Sequence, residues 1–167
     1  MEISSAAVFI DYYGKLRQRT LKVVACIPPE RIEWRYADGK WSLGDIVRHL
    51  GTIERWMYGE TLQGEPSRYA GCGPELAEGY DAVVAYLTQM HEETLGILRG
   101  FSDDDLQAKC ITPGDAPITR WKWMRAMTEH EIHHRGQLYT ALGVLGVPTP
   151  PLFGLTAEEV AAKADRL

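Results

Sequence analysis

The chain has 167 residues, 45% of them hydrophobic, and a net charge of −5. That size suits one globular domain over residues 1–167 with a core of its own. Basic and acidic residues are interspersed without a basic run, which argues against nucleic acid as a partner, and no apolar run approaches the roughly 20 residues needed to cross a bilayer.

The first stretch, "MEISSAAVFIDYYGKLRQ", carries an acid early and has no basic segment ahead of an apolar block. It does not read as a signal peptide, so a cytoplasmic protein is expected. Phe9, Tyr12, Tyr13, Leu16, Val23, Val24 and Ile27 recur at helical spacing and predict a first helix from about Ser4 to Cys26, ended by "IPPE". A second helix is predicted over "WSLGDIVRHLGTIERWMYGETL". Ser42 is its N-cap, Asp45 the capping-box partner, and Ile46, Leu50, Ile53 and Met57 its buried stripe.

The linker "QGEPSRYAGCG" is rich in Gly and Pro and too long for a tight helical hairpin, which allows a crossover. A third helix is predicted from about Pro74 to Arg99, with Gly100 at its end and a stripe of Tyr80, Val83, Val84, Leu87, Met90, Thr94 and Ile97. "FSDDDLQAKCITPGDAPI" reads as an irregular connection with at most one helical turn and without a strand. A fourth helix runs from about Thr119 to Leu145, stopped by Gly146 and Pro148, and "TAEEVAAKADRL" reads as a short helix capped by Thr156. The expected fold is all-α: a four-helix bundle with a long crossover between helices 2 and 3, plus a short C-terminal helix. Cys26, Cys72 and Cys110 are odd in number and far apart, which argues against a disulfide framework or a thiolate zinc site; a reactive Cys72 is the lesser reading beside three plain reduced thiols.

The fourth helix contains "EHEIHHRGQL", three histidines in five residues. A helix turns about 100° per residue, so His130 and His134 share a face about 40° apart, a spacing at which two imidazoles can hold one ion. His133 points away from the centre of that pair. Trp123, Met127, Leu138 and Ala141 lie on the same face, so the two histidines interrupt a core-facing stripe. Buried without partners, each would cost about 1–3 kcal/mol, and a metal ion would compensate. A third ligand must then come from another helix. His49, flanked by Ile46 and Ile53, is the first candidate and His91 the second.

His130-Glu131-Ile132-His133-His134 also spells H-E-x-x-H, the zinc-protease helix motif. The extended form would need Gly and His where Gln137 and Thr140 stand. The other form would need a downstream Glu, for which only Glu158 and Glu159 in the tail helix offer themselves. No strand is predicted to hold a peptide. The motif is therefore read as incidental.

"GKWSLGDIVRHLGTIERW" and "MTEHEIHHRGQLYTALGVLG" together resemble the DinB/YfiT-like superfamily of four-helix-bundle proteins, through W-S ahead of the single-histidine helix and H-x-x-x-H-R-G-Q on the last bundle helix. The resemblance covers essentially the whole chain. It implies a metal site of His49, His130 and His134, a crossover between helices 2 and 3, and a homodimer. It also implies a divalent-metal protein acting on a small molecule, as a hydrolase or as a thiol S-transferase that uses a low-molecular-weight thiol. The alternative is a non-catalytic dimer, structural or ligand-sensing, whose ion only ties helices together.

Three neutral imidazoles suit Zn²⁺ or Ni²⁺, with Fe, Mn or Co also compatible, and leave a position open for water or a thiol. On the helical wheel Gln137 falls close to the ligand face, where it could bond a ligand or substrate. Glu131 falls about 80° away, as a general base would, although a surface ion pair with Arg135 is the simpler expectation. Asp45 either caps the second helix or orients His49. Gly136, on the far side, is expected to permit close packing. Trp56, Trp121 and Trp123 are expected to be core or dimer-face residues.

Overall fold

The computed structural model describes residues 2–164. Helix α1 (Ala6–Val24) buries Phe9, Tyr13, Leu16, Thr20 and Val23 at alternating four- and three-residue spacing, while Tyr12 turns out to solvent. Helix α2 (Leu43–Ile53) starts on a complete capping box: the Asp45 amide donates to Ser42 Oγ and the Ser42 amide to Asp45 Oδ2, each at 2.9 Å. It runs without a break into a π-helical segment (Glu54–Gly59) and a last α-helical stretch (Glu60–Gln63), closed by Gly64 in the left-handed conformation at φ 88°. Helix α3 (Tyr80–Arg99), helix α4 (Arg120–Val144) and the short helix α5 (Ala157–Ala164) complete the chain.

The π segment has a physical cause in the residue spacing. Ile46, Leu50, Glu54, Tyr58 and Leu62 are all buried, each four residues after the last. In a regular α-helix such a row drifts about 40° per step and would leave the core within two or three steps. The wider π turn takes up the drift. The expected stripe continued through Ile53 and Met57, and both are only half-buried.

Two apolar clusters form the core. One gathers Val23, Ile46, Val47, Leu50, Val83, Leu87, Leu138 and Leu142. The other gathers Phe9, Leu16, Tyr58, Leu62, Leu95, Leu98, Met124 and Met127. Following each helix between them gives the topology. Helices α2 and α3 both run from the first cluster to the second, whereas α1 and α4 run the other way. Two consecutive parallel helices need a long return, and residues 64–79 supply it. Gly51 lets α2 and α3 approach, since a Cβ there would lie 3.3 Å from Leu87 Cα.

Between the clusters every bundle helix contributes to a buried polar layer. Arg17 of α1 pairs with Glu54 of the π segment and, at 3.0 Å, with Glu131 of α4. Thr20 donates to Glu131 at 2.5 Å, and His91 of α3 meets Glu54 at 2.8 Å. Burial works against the charge on Arg17, but Glu131 and Glu54 outweigh it and hold its pKa above the ordinary arginine value.

Three expectations need correcting. Helix α3 begins at Tyr80 and not near Pro74: Arg48 takes the carbonyl of Ala77, which such a helix would use, and Gly79 sits at φ 81°. The connection before α4 contains an antiparallel hairpin, β1 (Lys109–Ile111) with β2 (Pro117–Thr119), pairing Cys110 with Ile118 around a turn at Pro113-Gly114-Asp115. Strands of three residues are too short to show a period. Gly136 packs against nothing. The tail helix keeps its Thr156–Glu159 capping pair and buries no residue. Among the described residues no helix is long and apolar enough to cross a membrane.

Replacing Arg17 by Met would strand two buried carboxylates. We expect the unfolding free energy in urea to fall by about 3–5 kcal/mol. A loss below about 1 kcal/mol would show that Arg17 is not the partner on which both charges depend.

Candidate metal centre

His49 projects from α2, and His130 and His134 from successive turns of α4, into one spot. Their Nε2 atoms converge: His49 to His130 at 3.1 Å and His134 to His130 at 3.0 Å. The outer nitrogens of two rings are held from behind. His134 Nδ1–H donates to Gln137 Oε1 at 2.7 Å, so its Nε2 carries a lone pair. His49 Nδ1 meets the Tyr69 hydroxyl of the crossover at 2.8 Å.

His130 Nε2 offers in its ring plane either one hydrogen or one lone pair. It therefore satisfies one of its two neighbours and not both. The other contact is left without a hydrogen bond of its own unless a cation sits among the three nitrogens. An unsatisfied contact of this kind costs about 1–3 kcal/mol where water is excluded. Three neutral imidazole nitrogens within 4.8 Å of one another are a donor set that fits a borderline divalent ion.

Burial prepares the rings for this role. It pushes His49 down to about 3 and His130 to about 4, with neighbouring histidines adding to the shift. His134 is lowered as well, burial outweighing the bond from Gln137. At neutral pH no proton competes for the lone pairs.

Trp41 covers the cluster from the loop ahead of α2, its ring 4.6 Å from His49 and 5.8 Å from His134. Arg48 anchors the surroundings. It is fully buried, binds Glu33 and Asp45, and donates to the carbonyls of Cys72 and Ala77, tying the crossover that carries Tyr69 to α2.

The sequence expectations sort accordingly. His49, His130 and His134 are brought together, and Gln137 lies where the helical wheel put it. His91 is not: it faces Glu54 in the polar layer. Glu131 is 1% exposed and turned toward α1, its carboxylate engaged by Arg17 and Thr20. The expected surface pair with Arg135 does not form, since Arg135 is itself buried and donates to the Leu16 carbonyl. Among the described residues no Asp, Glu or Cys joins the three histidines in their group. Asp45 caps α2 and binds Arg48, without touching His49. The Cys72 thiol is pushed up by burial, which disfavours the reactive reading. Trp123 donates to Thr61 inside the bundle, and Trp56 lies between Arg55 and Arg68. Sequence reasoning missed Tyr69, Trp41 and Arg48. Only the W-S lead-in touched one of them.

The sequence profile of the DinB superfamily matches residues 12–138. Among curated proteins none matches. Similar solved structures include a DinB-like protein from Bacillus cereus, 18% identical, covering 89% of this chain and 97% of that one at a TM-score of 0.71. A DinB-like protein from Bacillus subtilis, YjoA, is 16% identical over 89% of this chain and 99% of its own, with a TM-score of 0.67. YfiT from Bacillus subtilis, described as a probable metal-dependent hydrolase with an unusual four-helix bundle topology, is 16% identical over 86% and 89%, with a TM-score of 0.66. At these identities the likeness shows the fold.

The depressed histidines give the metal-free protein a pH dependence with a definite sign. The unfolded chain takes up protons near the ordinary value of 6.5, while the folded chain resists until about 4 and about 3. Stability in chelator should therefore fall as pH drops below 6.5 toward 4. The double variant His49→Gln/His130→Gln should flatten that slope in urea titrations. A wild-type curve already flat over this window would refute the reading.

Proposed function

The chain belongs to the DinB superfamily, and from that premise and the three convergent imidazoles we propose that it is a divalent-metal-dependent hydrolase acting on a small molecule. The observation that carries the reading is the 3.0 and 3.1 Å meeting of three Nε2 atoms that one proton cannot reconcile. His49, His130 and His134 hold the ion, with Zn²⁺ or Ni²⁺ the best matches to an all-imidazole set. When bound, the ion supplies Lewis acidity that brings water toward a pKa of about 7.

The chain's own residues do the rest. Tyr69 and Gln137 fix the orientation of His49 and His134 from behind. Trp41 keeps bulk water off one side of the rings. His130 is the least buried of the three. Glu131 is ion-paired with Arg17, and among the described residues no carboxylate joins the cluster to act as a base. That observation favours a second reading, in which the ion held by the three histidines would lower the pKa of a low-molecular-weight thiol, its proton passing to solvent, and the sulfur would displace a leaving group from an electrophilic substrate. YfiT's description as a probable metal-dependent hydrolase supports the first reading.

Elemental analysis of untagged protein should find about one divalent ion per chain, and His49→Ala should lose it. Tyr69→Phe should keep the fold and weaken metal affinity about 10- to 100-fold, read by competition with a chromophoric chelator. No metal in the wild type, even after reconstitution with Zn²⁺ and Ni²⁺, would end the proposal.

A further inference from the structure

Loop 34–41 and the outer face of α4 enclose a cavity of about 850 Å³, within the range of small-molecule sites. Its apolar walls are Trp34, Trp41, Ile46, Ala141 and Val144. Arg35 and Lys40 line it as well, and among the described residues no aspartate or glutamate does. Among the described residues neither cation is ion-paired, and both are exposed. In a chain of net charge −5 this is a local reversal of sign. Asp38 belongs to the same loop but lies outside the lining.

The cavity adjoins the histidines through two shared side chains. Trp41 lines it and stacks on His134, and Gln137 lines it and bonds His134 Nδ1. A ligand seated there therefore lies one side chain from the cluster.

We infer that this cavity binds a small organic anion with a flat apolar body. The body lies against Trp34 and Trp41, where aromatic faces supply contact area at low entropic cost. The anionic group faces Arg35 and Lys40. These are exposed, flexible cations on a loop, so they read charge more than geometry, and carboxylate and phosphate are both admissible. That this ligand is the substrate rests on the metal-dependent function proposed above. Its binding does not.

Isothermal titration of the full chain, metal-free and Zn²⁺-loaded, with four matched probes tests the inference: naphthalene-2-carboxylate, 2-naphthyl phosphate, 2-naphthylmethanol and 2-naphthylmethylammonium. Both anions should bind about five- to tenfold more tightly than the alcohol, and the ammonium ion more weakly still. Raising the salt concentration should narrow the gap. Arg35→Gln/Lys40→Gln, on an exposed loop, should level the four probes, and Thr140→Trp, which fills the cavity, should abolish binding of all of them. Equal binding of the four by wild type, or anion binding indifferent to both variants, overturns the inference. A preference for carboxylate or for phosphate identifies the anionic group. The two proposals fail separately: charge-selective binding in a chain that takes up no metal leaves the cavity standing and removes the metalloenzyme. A metal-loaded chain without charge selectivity does the reverse.

Discussion

The buried charge layer fixes the register on which everything else in this bundle depends. Arg17 must reach Glu54 and Glu131 at once, because either carboxylate left alone at this depth would be strongly destabilising. A guanidinium between two carboxylates has a fixed fork geometry and tolerates little shift of the helices that carry it. The layer therefore sets both the height and the rotation of α4 against α1 and α2. With Glu131 turned toward α1, its neighbours His130 and His134 are rotated toward α2, where His49 stands. The residue pointing away from the metal cluster is the one that aims it.

The cluster itself is built to be unhappy without a cation. Its rings are buried enough to stay neutral, two of them are held from behind, and all three are crowded to hydrogen-bond distance. Local stability is given up at that point and supplied elsewhere, notably by Arg48. That side chain spends its donors on two carboxylates and two backbone carbonyls and so keeps Tyr69 behind His49. The orienting contacts come from the crossover and from α4 itself. The long connection is thus part of the site as well as a topological necessity.

What the sequence shows of this arrangement is what lies within one turn of one helix. The pairing of His130 with His134, the nearness of Gln137 and the Ser42–Asp45 cap are all short-range relations, and each appears where spacing puts it. Relations between helices are hidden. Glu131 sits four residues before Arg135, and the rule for exposed helix faces pairs them; the actual partner is Arg17 on another helix, which no local pattern reveals. The start of α3 was hidden for the same reason, since the Ala77 carbonyl claimed by Arg48 leaves no trace in the residue that carries it. His49 was legible through its apolar neighbours, but Tyr69 in a Gly- and Pro-rich linker was not.

The π segment joins these levels. A buried row at strict four-residue spacing can face one core only if the helix is locally underwound. Here the underwinding begins at Glu54, the residue that carries the second helix's share of the charge layer. Upstream of it, α2 keeps regular geometry and presents His49 to α4. Downstream, the row returns to the second core cluster through Tyr58 and Leu62. A regular helix would have had to choose between placing Glu54 against Arg17 and placing Tyr58 and Leu62 in the core. The distortion lets one helix serve the metal cluster, the charge layer and the far core in succession, and its cause is visible in the spacing of five residues.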